Sequence, residues 1–258
     1  MREAADWLAP DWRVARVGAL MTTRHGGRSV APYASMNVGT AVGDGVDAVA
    51  ANRALLAEAI GARPVFLRQV HGARVVRVGP DDARHGAPIH DADACVTTDP
   101  GVACVVQAAD CLPVLLAAPD GRAVGAAHAG WRGLAAGVVK ATVASVCAAA
   151  KCEPRELDAW LGACIGPGAF EVGADVLVAF GGDPMEPNAD PGARFVLHAP
   201  GKWLADLPGL TRDRLAAAGV DRVAGGSWCT VTDSSRFFSF RRDGVTGRMA
   251  AAIWIEPR

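Results

Sequence analysis

Three residues carrying soft or borderline donor atoms end apolar runs in this chain: His71, Cys111 and His128. Two chemistries use such a set. A His-Cys-His trio suits a zinc ion with its fourth position open. A cysteine beside a histidine also makes a nucleophile with its base, Asp110 or another group orienting the imidazole. Either use needs a thiol pKa below the ordinary one, which nearby cations or a helix N-terminus supply. The spacings of 40 and 17 residues match no local zinc motif. Spacing alone leaves both readings open.

The elements that must bring these residues together are legible in part. Residues 112–118 and 122–128 are apolar runs joined by Pro119-Asp120-Gly121-Arg122. Asp-Gly is a tight-turn signal, because glycine tolerates positive φ. The pattern predicts a hairpin that sets Cys111, at the start of one strand, beside His128, at the end of its partner. Residues 65–70 and 74–78 read as strands around His71-Gly72. Gln69 and His71 share a face if the first strand reaches that far. A long helix over 133–150 has Leu134, Val138, Val139, Thr142, Val143 and Val146 on one side. Its N-terminus would bring free N–H groups and positive potential close to His128. Further strands are expected over 14–22, 94–98, 102–107, 157–161, 220–224 and 248–255. Further helices are expected over 47–60, 171–180 and 200–218, the last interrupted at Pro208-Gly209. Residues 79–93 and 181–194 read as polar loops. The second is the best internal break but lacks linker length.

Thr23-Arg24-His25-Gly26-Gly27 is a glycine-rich turn carrying an arginine, and it leads to Asn37 through a polar segment. It is a surface turn, or an anion- or sugar-binding loop that offers backbone N–H groups and a guanidinium. It lacks the Lys-Ser/Thr ending of a P-loop. Arg132, Arg241 and Arg248 also sit beside glycine turns or strand ends. With Arg24, Asn37 and Gln69 they are candidate substrate contacts.

Composition narrows the partners. Of 258 residues, 51% are apolar and 21% charged, with a net charge of −1. That describes a packed globular chain rather than a disordered one. No basic block marks a nucleic-acid surface. No apolar run reaches the roughly 20 residues of a membrane span, and the first residues do not form a secretory signal. Cytoplasmic placement and a monomer are the default expectations. Seven cysteines without a C-x-x-C pair argue against a disulfide framework or zinc ribbon.

Seven segments, in order, resemble the YfiH-type family, also known as laccase-domain or polyphenol-oxidase proteins. They are Thr23-Arg24-His25-Gly26-Gly27, Gln69-Val70-His71-Gly72, Ala92-Asp93-Ala94 and Ala109-Asp110-Cys111-Leu112-Pro113. They continue with Ala127-His128 through Gly133, Gly162 to Gly168 with Glu171-Val172, and Phe238-Ser239 through Arg241-Arg242-Asp243 to Arg248. Met36 stands where the family usually carries Leu. The resemblance implies zinc held by His71, Cys111 and His128. It implies phosphorolysis of adenosine, inosine, guanosine and methylthioadenosine, and deamination of adenosine. The substrates would then be a purine nucleoside and phosphate. Asp110, beside a ligand, is a candidate for proton transfer. Two alternatives remain: a copper-dependent phenol oxidase, and a hydrolase with Cys111 as nucleophile acting in peptidoglycan editing. Copper clusters of the laccase type want H-x-H pairs, which this chain lacks. The expected fold is α+β, a single domain over residues 1–258 with a mixed β-sandwich-like core flanked by helices.

Overall fold

The computed structural model describes residues 6–12, 14–185 and 194–257. The strands are β1 (Val17–Met21), β2 (Arg63–Val65), β3 (Val75–Arg77), β4 (Ala94–Thr97), β5 (Val102–Ala108), β6 (Leu112–Ala117), β7 (Val124–Ala129), β8 (Asp158–Leu161), β9 (Glu171–Val172), β10 (Phe195–Ala199), β11 (Lys202–Ala205), β12 (Arg222–Gly225) and β13 (Met249–Ile255). The helices are α1 (Val46–Ile60), α2 (Trp131–Ala135), α3 (Val138–Ala150), α4 (Ala174–Ala179), α5 (Leu207–Ala217) and α6 (Phe240–Asp243). Among the described residues no helix is long and apolar enough to cross a membrane.

Two large sheets form the centre. One has the order β1-β13-β5-β2 and the other β12-β8-β6-β7-β4-β3, with a small sheet β10-β11-β9 beside them. Period-two alternation sorts side chains into layers. On β5, Cys104 and Val106 face a core shared with Leu115, Ala126, Trp160 and Ile253 from the facing sheet and β13. Ala103 and Val105 point the other way, to Met36, Leu56 and Ile60 beneath α1. On β6, Val114 and Leu116 pack with Val139, Val143 and Val146 of α3. The result is the expected sandwich with helices on its outer faces. Both faces of β5 and β6 are covered, which is why these strands read as unbroken apolar runs.

The hairpin forms as the sequence indicates. Strands β6 and β7 pair antiparallel with Pro113 opposite His128 and Leu112 opposite Ala129. Asp120 (φ 57°) and Gly121 (φ 64°) turn the chain between them. Four expectations need correction. The strand expected over 65–70 ends at Val65, and Gln69 instead pairs its side-chain amide with the backbone of Gln107, donating to its carbonyl (2.8 Å) and accepting from its N–H (2.7 Å). The helix over 133–150 is two pieces, α2 and α3, broken at Gly137 (φ 93°). The short α2, not a long helix, therefore begins beside His128. Glu171 lies on strand β9 rather than in a helix; α4 starts three residues later. Residues 200–218 hold a strand, β11, and then α5, in which Pro208 opens the helix instead of interrupting it. Most of the 181–194 loop, and the first five residues, lie outside the described residues.

Gly137→Ala tests the α2–α3 break. A Cβ there meets nothing within 4 Å, so its cost is backbone alone. It should destabilise the chain by about 1–2 kcal/mol in urea unfolding. An unchanged midpoint would mean the left-handed residue is not required.

Candidate metal centre and its cavity

The strand starts of β4 and β6 and the end of β7 meet at one edge of the six-stranded sheet, and the three candidate donors collect there. Asp93 precedes β4 and lies beside His128, whose N–H donates to the Asp93 carbonyl (2.7 Å). Cys111 precedes β6, next to Gly130 at the end of β7. His71 arrives on the 70–72 turn in a left-handed conformation (φ 60°). The donor atoms of His71, Cys111 and His128 all lie within 4.8 Å of one another, with His71 Nε2 3.9 Å from Cys111 Sγ. The two imidazoles meet edge to face, their centroids 4.9 Å apart.

What holds them there is the Asp93 carboxylate, fully buried. Its Oδ1 accepts from the His71 backbone N–H (2.9 Å) and from His128 Nδ1 (2.9 Å). Its Oδ2 accepts from the N–H groups of Val70 (3.1 Å) and Gly72 (2.7 Å). One carboxylate thus fixes both the turn that carries one histidine and the ring of the other. A carboxylate on a histidine's far nitrogen sets its tautomer and strengthens it as a ligand. Burial raises the Asp93 pKa, but the His128 and backbone hydrogen bonds outweigh it and hold the carboxyl below its usual value.

The thiol and imidazole shift in opposite senses. Burial opposes ionisation of Cys111, yet the charge and hydrogen bond of His128, with help from His71, lower its pKa to about 6. Burial likewise opposes a charged His128, yet Cys111 and Asp93 raise it to about 9. The two shifts favour a thiolate facing an imidazolium. The donor set fits a metal. A tetrahedral zinc site with bonds of about 2.0–2.3 Å has edges of roughly 3.3–3.6 Å; the Cys111–His71 edge of 3.9 Å exceeds that by a few tenths of an ångström, and a separation at the 4.8 Å bound would close by about an ångström on binding. Gly130 permits this approach: a Cβ there would sit 2.9 Å from Cys111 Sγ and 3.1 Å from His71 Cδ2.

The three donors open onto a cavity of about 640 Å³ lined by Gln69, Trp131, Ile165, Phe170, Phe240 and Arg241, among others. Volumes of this order hold a small-molecule ligand. Asp110 lines it too, held at φ 94°. Its oxygens accept from the Thr230 hydroxyl (2.6 Å) and the Arg241 N–H (2.6 Å), so it ties α6 to the strand edge while lining the cavity. Arg241 also donates to the Glu171 carbonyl (2.9 Å) and stacks over Phe170.

Three candidate contacts do not reach the cavity wall. Arg24 donates to the carbonyls of Ala34 (3.2 Å) and Ser234 (2.9 Å), bracing its own turn. Buried Asn37 is spent on Gly39, Asp44 and the Arg248 N–H. Arg132 is exposed and stacks on Trp131. Arg248 does line the wall. So does Arg53, which sequence reasoning missed because it sits mid-helix with nothing to separate it from a solvated helix charge.

Fold and site together define an α+β protein with a three-donor centre opening onto a ligand-sized cavity. A family model described as multi-copper polyphenol oxidoreductase laccase matches residues 18–256, and the chain belongs to that family. A purine nucleoside phosphorylase of Pseudomonas aeruginosa is 47% identical over 252 residues, 97% of this chain and 98% of that one. Purine nucleoside phosphorylase YfiH of Escherichia coli is 45% identical over 253 residues, covering 96% and 98%. YlmD from Geobacillus stearothermophilus superposes with a TM-score of 0.89 at 34% identity, covering 100% and 98% of the two chains. A Neisseria meningitidis protein gives 0.88 at 45% identity, covering 98% and 100%.

Asp93→Asn should weaken zinc binding by about 10–100-fold in competition with a chelator. An unchanged affinity would show that Asp93 does not orient the ligands. In metal-stripped protein, iodoacetamide should label the Cys111 peptide at pH 7 and slow as the pH falls below about 6, because only the thiolate attacks. Zinc should protect it; equal labelling with and without zinc would remove Cys111 from the ligand set.

Proposed function

We propose that this chain is a metal-dependent purine nucleoside phosphorylase, a single catalytic domain whose metal is zinc held by His71, Cys111 and His128. The observation that carries the reading is the His-Cys-His centre opening onto a cavity with aromatic walls, in a chain whose full-length relatives are named purine nucleoside phosphorylases. Its proposed substrates are adenosine, inosine, guanosine and methylthioadenosine with phosphate, and deamination of adenosine is proposed as a second activity of the same cavity. Copper chemistry of the laccase kind calls for clustered metals. Among the described residues there is one three-donor group, which favours a single metal.

In phosphorolysis a phosphate oxygen bonds to the anomeric carbon while that carbon's bond to the purine nitrogen breaks. The electron pair leaves with the purine, which takes up a proton. The chain's part is to bind, orient and exclude water. Trp131, Phe170 and Phe240 offer flat apolar surfaces for a purine. The Gln69 amide is locked to Gln107 and fixes that part of the wall. Arg241 and Arg248 supply positive charge for ribose hydroxyls or phosphate. Asp93 positions both histidines without touching substrate. When bound, zinc supplies a Lewis acid that polarises an oxygen or nitrogen of the substrate.

Metal-replete protein incubated with adenosine should give adenine and ribose 1-phosphate only when phosphate is present, and inosine as the deamination product. His71→Ala and Cys111→Ala should each abolish both. Inactivity of metal-replete protein toward every purine nucleoside would overturn the reading.

A further inference from the structure

One part of the cavity wall carries two guanidinium groups that, among the described residues, form no ion pair. Arg53, half-buried on α1, donates from Nε to the Val38 carbonyl (2.9 Å) and lies 3.8 Å from the centroid of Phe66. Among the described residues its two terminal nitrogens have no hydrogen-bond partner and no carboxylate pairs with it. Burial alone acts on its pKa, lowering it to about 10. Arg248, also half-buried, donates from Nη1 to the carbonyls of Thr246 (3.1 Å) and Gly247 (3.0 Å) and stands 5.7 Å from the Phe240 ring. Among the described residues it too forms no ion pair and its Nε and Nη2 have no hydrogen-bond partner; burial lowers its pKa, against the opposing charges of Cys111 and Asp110. Some arginines of the chain are paired with carboxylates, as in Arg194–Asp213, Arg222–Asp158 and Arg242–Asp243, and others, such as Arg212, spend both terminal nitrogens on carbonyls; Arg53 does neither. Cations taken from water are normally paired.

The two arginines line the same cavity and are connected through Val38–Gly39. Arg53 holds the Val38 carbonyl, and the Val38 N–H donates to the Arg248 carbonyl (3.1 Å). Gly39 lies against the Arg248 side chain so closely that a Cβ would be 2.8 Å from Cγ. Arg53, Gly39 and Arg248 all line the cavity that the metal donors open onto. Stacking of Arg53 on Phe66 limits its rotamers and holds the fork ready.

We propose that Arg53 and Arg248, on either side of Val38–Gly39, form the subsite for a tetrahedral oxyanion, the inorganic phosphate consumed in the reaction. The assignment of phosphate as co-substrate rests on the phosphorylase reading above; the oxyanion site itself does not. A phosphate dianion balances two guanidinium charges, and planar N–H forks match its oxygens.

Titration of metal-loaded protein with inorganic phosphate, without nucleoside, should show binding by calorimetry. Arg53→Gln and Arg248→Gln should each weaken it about tenfold or more, while Arg53→Lys, keeping charge but losing the fork, should fall between. Arg155→Gln, on an exposed arginine paired with Glu153, should match the wild type. Zinc stoichiometry and circular dichroism identify any variant that fails to fold, and the other arginine then carries the test. With saturating adenosine, Arg53→Gln should raise the KM for phosphate about tenfold and leave that for adenosine within about twofold. If the wild type cleaves nucleosides and folded Arg53→Gln keeps its phosphate KM and affinity, the subsite is wrong and the phosphorylase reading stands. If the wild type cleaves no nucleoside but binds phosphate through these arginines, the subsite stands and the phosphorylase reading falls.

Discussion

The buried carboxylate of Asp93 is the constraint on which the site depends. Four hydrogen bonds converge on it, three from consecutive backbone N–H groups at 70–72 and one from His128. A carboxylate without those donors would be costly to bury. The turn at His71, without that anion, would hold a non-glycine residue at positive φ with nothing to repay the strain. Each makes the other tolerable. The consequence is a histidine that sits on a loop yet is held as firmly as one on a strand.

The strain is not confined to one side. Asp110, at φ 94°, occupies the position next to Cys111, and its two oxygens join Thr230 and Arg241 to that edge. Two of the three candidate donors are thus reached through, or flanked by, left-handed residues, while His128 sits in regular strand. Gly130 lets the chain pass between Cys111 and His71 where any side chain would collide. The centre is built from a rigid strand end and two bent entries pinned by carboxylates.

Much of this was legible in the sequence where the pattern is local. The hairpin announced itself through two apolar runs and Asp120-Gly121, and it alone predicted that Cys111 meets His128. His71 joined them through the family resemblance, because its contact with Cys111 spans 40 residues and obeys no periodicity. Asp93 was visible only as part of a motif: a lone acid before a strand looks like any polar turn residue. Residues 200–218 misled because Trp203 and Leu204 fall at helical spacing from Leu207, although they pair with β9 and β10 as a strand. Proline at 208 looked like an interruption but is the start of α5, with Asp206 accepting from Gly209 (2.9 Å) as its cap. The unpaired state of Arg53 could not be read at all, since the absence of a counterion is a property of space rather than of order along the chain.

The place of β13 carries one more consequence. Met249–Ile255 lies between β1 and β5, pairing with both, so the four-stranded sheet has a gap at its centre until the last of its strands is made. During synthesis β1, β2 and β5 leave the ribosome long before the piece that joins them. Contacts across such sequence distances form slowly, and the apolar surfaces of β1 and β5 wait uncovered meanwhile. The four-stranded sheet therefore closes only when β13 arrives, and β1 and β5 have no direct pairing to hold them together before then.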